Sequence, residues 1–388
     1  MTPTRRALVA SALGAGISYS NLAVALPLLV LAEHGSASLA GGLLGADTIA
    51  FSLGALLAFA LRRGEEGVVA GLAAITAGDL LFLTTHARGA LVAGALVHGA
   101  GMGLFWVGVQ ASLGRRSGQS GSQRAFVLQY VVYIAGSATG AALTGGFIAL
   151  LRTFGVSHAA SIRLSFAVGA TAAVLAVPTA VAWLRSTTHT AQIRHLRPAP
   201  LRGFALQLPD LLLVAAMGML LNLAPVVLNR DFRFTPLAVG FVSGAVAAAK
   251  IGGSITAGRI AHTAGSKRAV GAMLAGSAVA AAVLASTHEA YVYVLLTVAT
   301  AFLAVGVWPI VVDGALARVS PEERHGLSIV WNVREYAAIA ATTALGGYLL
   351  DVSRRPTLLL ALAAVLLATA AVSALAVLGR PVYAPRPA

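Results

Sequence analysis

Twelve apolar stretches, separated by short polar interruptions, constrain this chain more than any other feature. They fall at 7–32, 38–61, 67–85, 89–113, 125–151, 161–184, 209–228, 237–261, 268–287, 290–313, 326–350 and 356–379. A bilayer's hydrocarbon core is ~30 Å thick and takes about 20 helical residues to cross, so each stretch suits one crossing. The runs are continuously apolar and rich in Ala, Leu and Gly, whereas a barrel strand would be about ten residues of alternating polarity. The expected fold is an all-α membrane protein of twelve transmembrane helices. Composition agrees: 58% of the 388 residues are hydrophobic and 10% charged, against roughly 25% charged in soluble domains. Twelve spans leave no space for an additional soluble catalytic domain. The first run continues from Arg5 and Arg6 to about Ala32 with no clear small-residue cleavage site, and is read as a span, not a signal peptide.

A net charge of +14 would point to nucleic acid in a soluble protein. Here the basic residues sit in short loops without interleaved aromatics, as expected when Lys and Arg are retained on the cytoplasmic side. With the N-terminus inside, the cytoplasmic segments hold eighteen Lys and Arg and the opposite side seven. That asymmetry places both termini in the cytoplasm. The Ala-, Gly- and Arg-rich usage matches a GC-rich bacterium, so an inner (cytoplasmic) membrane is expected. The absence of cysteine excludes disulfides and thiolate metal sites.

The chain repeats itself. Asn-Leu-Ala at 21–23 recurs at 222–224, and Gly145-Gly146 recurs as Gly346-Gly347. Thr85-His86 precedes Trp106 as Thr287-His288 precedes Trp308. Offsets of 201 and 202 at equivalent points in the spans argue for two homologous, pseudo-symmetric six-helix halves, 1–184 and 209–388. A basic cytoplasmic linker at 185–208, with Pro198 and Pro200, joins them. Parallel halves with a site at their interface are a recurring transporter plan.

The sequence GRIAHTAGSKR at 258–268 resembles the cytoplasmic loop motif of the major facilitator superfamily. Gly258, Arg259, Ala261, Gly265, Lys267 and Arg268 fit it, while His262 stands where that family has Asp. The matching loop after span 2, LRRGEEG at 61–67, is degenerate, with Leu61 replacing the acid. SPEERHG at 320–326 resembles the family's acid-plus-arginine turn. The resemblance implies a major facilitator fold and a cytoplasmic gate formed by Arg259, Lys267, Arg268, Glu323 and Arg324. Within the superfamily, GSATGAALTGG at 136–146 and AVALP at 23–27 resemble motifs of drug–proton antiporters, without the characteristic proline of the first or the upstream aspartate of the second.

Ionisable groups cost ~2.5–3.5 kcal/mol at a helix centre on insertion scales and mark candidate sites. Asp47, Asp79, His98, Lys250, Arg334 and Glu335 lie within spans. Arg163 and Asp313 are near enough to span ends to reach headgroups or water. Asp47, His98, Arg334 and Glu335 are the proton-coupling candidates; for His98 a helix–helix hydrogen bond is an equal alternative. Asp79 is as well explained by a structural hydrogen bond. Polar stripes at helical spacing run through Gln129, Tyr133, Ser137, Gly140 and Thr144, through Ser328, Asn332, Glu335 and Thr342, and through Ser243, Lys250 and Ser254. Candidate substrate contacts are Asn21, Gln129, Tyr133, Asn222, Lys250, Trp308 and Asn332. Together these imply a secondary transporter working by alternating access, with proton-coupled efflux of small amphipathic or drug-like molecules as the first reading. Proton-coupled uptake or exchange of an anionic metabolite, held by Lys250 and Arg334, is the alternative. No HExxH, GxSxG, Walker A or paired catalytic carboxylates occur. The chain is therefore expected not to be an enzyme and to need no cofactor or metal. Its expected partners are a small-molecule substrate, protons and the bilayer, with no nucleic acid, and it is expected to act as a monomer.

Overall fold

The computed structural model describes the backbone of residues 3–60, 64–116, 119–185, 202–318, 321–353 and 355–380, with side chains in all but the flanks of these segments. Every regular element among the described residues is helical. The helices are α1 (Pro3–Ala32), α2 (Ala37–Ala60), α3 (Gly64–Thr84), α4 (Arg88–Arg116), α5 (Gln119–Thr153), α6 (His158–Arg185), α7 (Arg202–Leu220) and α8 (Ala224–Arg230). They continue with α9 (Pro236–Ala264), α10 (Ser266–Ser286), α11 (Ala290–Thr300), α12 (Gly306–Leu316), α13 (Pro321–Ser353) and α14 (Thr357–Leu378). α7 and α8 form one span, as do α11, a π-helical turn at Ala301–Val305, and α12, so the described residues make twelve helical rods.

Eleven rods are long and apolar enough to cross a bilayer among the described residues. The twelfth, α13, is diluted by its own polar stripe, which includes Asn332, Arg334, Glu335, Thr342 and Thr343. Large apolar side chains are exposed along the rods, among them Leu53, Leu175, Leu295, Val365 and Val372. In water such a surface would drive aggregation, whereas in lipid it is the solvated face.

The expected spans agree with these rods within several residues, with one informative difference. Composition carries the linker to 208, yet α7 begins at Arg202 and carries Pro209 within it. Leu206 and Gln207 are buried, so the last part of that stretch belongs to a packed helix. Most of the expected linker, 186–201, lies outside the described residues. Further along, Pro225 lacks the N–H that would continue α7. The rod breaks at 221–223, and Asn222 falls in the break.

The chain clusters into two compact units, Met1–Arg194 with Pro225–Ala248, and His195–Ala224 with Ala249–Ala388. In the first, α1 packs on α5 and α6, α4 on α2 and α3, and α3 on α6. In the second, α7 packs on α13 and α14, and α10 on α14 and α11. Small residues let these backbones close up, as is usual where lipid gives no hydrophobic drive for helix association. A Cβ on Gly103 would sit 2.1 Å from the carbonyl oxygen of Phe51, fixing the α2–α4 approach.

The internal repeat extends to backbone detail. At the end of α1, His34 adopts φ 58°, and the Ser36 hydroxyl two residues on accepts from Leu39 N–H at 3.1 Å. At the end of α8, Arg233 adopts φ 54°, and Thr235 accepts from Ala238 N–H at 3.3 Å. The offset of 199 is close to that of the sequence repeats.

Gly103→Val is expected to lower stability by about 1–3 kcal/mol, the usual range for overpacking. Gly146→Ala, with nothing within 4 Å of its new Cβ, is expected to leave the unfolding midpoint unchanged. Denaturant unfolding in detergent, followed by circular dichroism, measures both.

Candidate proton and substrate site

In the first unit a chain of buried polar side chains crosses four helices. Asp47 on α2 places Oδ1 2.7 Å from Nδ1 of His98 on α4. The other ring nitrogen, Nε2, lies 3.4 Å from the hydroxyl of Ser18 on α1. Ser18 donates to Oδ2 of Asp79 on α3 at 2.7 Å. Ser18, Asp79 and His98 are fully buried and Asp47 is 4% exposed. Glycines make these meetings possible. A Cβ on Gly99, next to His98, would fall 1.9 Å from the backbone oxygen of Asp47. One on Gly78, next to Asp79, would fall 2.6 Å from His98 Cβ. One carboxyl group thus meets the imidazole directly and the other through the Ser18 hydroxyl.

Asn21 lies beside this chain. Its amide donates to Thr144 Oγ1 at 2.7 Å and to the Ser165 carbonyl at 2.9 Å, using both N–H groups within the protein. In the second unit Asn222 donates to Thr343 Oγ1 at 3.1 Å. The two asparagines therefore make equivalent bonds, α1 to α5 and the α7–α8 break to α13.

A second group in the first unit is aromatic. Tyr133 on α5 lies edge-on to Trp106 on α4, with ring centroids 5.1 Å apart, and 6.1 Å from Tyr19 on α1. All three rings are half-buried. Gln129, one turn before Tyr133, is completely buried, and among the described residues neither its Nε2 nor its Oε1 has a hydrogen-bond partner. Burying an amide without hydrogen bonds costs roughly 2–7 kcal/mol, depending on the reference state.

In the second unit, buried Asp210 on α7 accepts a hydrogen bond from the indole N–H of Trp331. Gln207 donates to the Trp331 carbonyl at 2.9 Å and accepts from Arg334 at 3.4 Å. Glu335, also buried, interacts electrostatically with Asp210, and Trp308 lies beside both carboxyl groups. Half-buried Asn332 is on the same helix as Glu335. Lys250 on α9 is half-buried, and among the described residues no carboxylate lies within ion-pair distance of it.

Arg163 differs from expectation. It does not reach out to headgroups but is buried at the start of α6. It donates to the Phe82 carbonyl at 3.0 Å, to the Thr85 carbonyl, and to Glu33 at the end of α1. A cation on the terminal carbonyls of α3 also complements that helix's dipole. Asp313 is exposed, as expected. Arg259, Lys267 and Arg268 are exposed around the α9–α10 turn, where Gly265 takes φ 91°. The side chains of Glu323 and Arg324 lie outside the described residues.

Sequence reasoning misses Ser18, Tyr19, Gln207, Asp210 and Trp331. Asp210 follows Pro209, a position that reads as the edge of a span and not its third turn. One hydroxyl in an Ala- and Ser-rich helix carries no distinguishing signal, so Ser18 is invisible at that level.

The fold is shared with solved transporters of the POT family and with the nucleoside transporter NupG. An auto-inhibited POT family peptide transporter superimposes over 100% of this chain and 99% of its own, with TM-score 0.77 and 13% identity. A POT family transporter in complex with 5-aminolevulinic acid aligns over 95% and 94%, with TM-score 0.73 and 12% identity. A point mutant of the nucleoside transporter NupG aligns over 96% and 99%, with TM-score 0.71 and 11% identity. No protein-family model matches the sequence, and no curated protein sequence does. Identities this low establish the shared fold alone.

Arg163→Leu is expected to destabilise the protein by about 1–3 kcal/mol, because it removes the donor of two helix-terminal carbonyls and a partner of partly exposed Glu33. Removing Glu33 as well, in Arg163→Leu with Glu33→Gln, is expected to restore part of that loss. A double-mutant cycle on thermal unfolding in detergent reads the coupling.

Proposed function

We propose that this chain is a proton-coupled secondary transporter of small organic solutes, working by alternating access in a bacterial cytoplasmic membrane with both termini inside. The observation that carries the reading is the buried Asp47–His98–Ser18–Asp79 chain. A carrier that couples a proton to a solute needs a group whose charge is costly in one state and neutralised by a proton in another. Two carboxyl groups, one on the imidazole and one reached through Ser18, walled off from water, meet that need without a metal or nucleotide. Asp47 and His98 hold and release the proton in this reading, and Asp79 and Ser18 position the imidazole. Glu335, which interacts with Asp210, is the corresponding group of the second unit, with Arg334 as its nearby cation. Arg259, Lys267, Arg268, Glu323 and Arg324 act as the cytoplasmic gate. Proteins of the same fold include proton dependent oligopeptide transporters, which supports coupling to protons.

The cargo has two readings. Export of a small amphipathic or drug-like solute rests on the half-buried aromatic rings of α1, α4 and α5 and on the glycine-bearing α5. Transport of an anionic metabolite rests on Lys250, a membrane-embedded ammonium without an ion pair among the described residues.

Proteoliposomes with an imposed pH gradient and an internal pH-sensitive dye test the coupling, using a panel of cationic dyes, neutral amphipaths and organic anions. Proton flux dependent on one of these solutes is expected, and Asp47→Asn or His98→Asn should reduce it at least tenfold. Solute counterflow at equal pH should persist in both variants. Undiminished proton flux in both would overturn the assignment. Loss of anion movement alone in Lys250→Ala would favour the metabolite reading.

A further inference from the structure

Gln129 is a carboxamide with no exposure and, among the described residues, no partner for either polar atom. Every other buried amide side chain described has at least one bond: Asn21 to Thr144 and Ser165, Gln207 to Trp331. Orphan buried polar groups are few in native proteins, and a buried amide is easily replaced by Leu or Met if only packing is needed. Its surroundings give it a direction. On α5, Gln129 and Tyr133 are four residues apart and so share a helical face. Tyr133 in turn meets Trp106 of α4 and Tyr19 of α1.

We propose that this face of the first unit binds a planar heteroaromatic ring bearing a cyclic amide edge. The ring lies against Tyr19, Trp106 and Tyr133, and its adjacent N–H and C=O pair with the carbonyl and amino groups of Gln129. The inference rests on the transport reading for its purpose but not for its chemistry. Aromatic side chains attract a planar ring by stacking and edge contacts. A carboxamide offers one acceptor and two donors side by side, the complement of a lactam edge. A site built to hydrogen-bond a ligand N–H rejects an analogue lacking it, because its own polar group is then left unpaired. Tyr19 joins this subsite to the proton chain, since Asp47 is near enough to interact with it electrostatically.

The test is equilibrium dialysis of the full-length protein in detergent, at fixed pH and without a gradient, against 2-quinolone and N-methyl-2-quinolone. The ring is the same in both, and only the first keeps the N–H. The expected result is saturable binding of 2-quinolone, at least tenfold tighter than its N-methyl derivative. Gln129→Leu should remove the discrimination, and Gln129→Met serves if the first variant does not fold. Tyr133→Leu should weaken both ligands tenfold or more, while Tyr133→Phe retains binding. Equal binding of the two quinolones, no binding of either, or unchanged discrimination in a folded Gln129 variant would overturn the proposal. Discrimination without proton-driven flux would sustain the subsite and sink the proton reading. Flux without discrimination would do the reverse.

Discussion

A carboxylate inside a bilayer has no water to turn to, and lipid offers no donor, so its only solvent is another part of the same bundle. Much of the first unit is organised by that fact. Asp47, Asp79 and His98 come from three helices, and each would be an expensive misfit on its own helix. Linked through Ser18, they bond one another at 2.7–3.4 Å, although Asp79 Oδ1 has no hydrogen-bond partner among the described residues. In the second unit one oxygen of Asp210 accepts from the Trp331 indole, and the Trp331 carbonyl accepts in turn from Gln207.

Short side chains can join helices only when the backbones are close, and this is where the glycines enter. Gly99 lets α4 lie against the backbone of Asp47, and Gly78 lets α3 lie against His98. Gly169 on α6 has no Cβ, and one placed there would fall 2.7 Å from Asp79 Oδ2 and 2.9 Å from Asn21 Oδ1. Each of these glycines borders or faces a member of the polar chain. Glycine and titratable residue are therefore parts of one device, since a larger residue at the contact would separate the groups as effectively as deleting one of them.

The spans and the repeat are legible in the sequence because both depend on properties carried locally, apolar run length and residue identity at a fixed offset. Asp47 and His98 are legible as members of a site because a charge in an apolar run stands out. That they meet each other is not, since their 51-residue separation is closed by a helix approach that no periodicity encodes. Asp210 escapes notice for a related reason. The Pro209-Asp210 pair has the composition of a span edge, and only the packing of Leu206 and Gln207 reveals that α7 is already under way. Arg163 misleads in the opposite sense. Near a span end an arginine usually snorkels to water, but here Glu33 and the α3 carbonyls capture it first.

The repeated stretches share local backbone devices and differ in what titrates. The asparagine-to-threonine bonds recur, as do the positive-φ residue and hydroxyl cap that turn one helix into the next. These devices are geometric, and any change in them would move whole helices. The buried acids do not recur as a set. Asp47, Asp79 and His98 have no counterparts 201 residues on, where Ala248, Ala280 and Ala299 stand. A buried polar chain drawn from four helices needs all its members at once, so the symmetry of the frame does not extend to the side chains it carries.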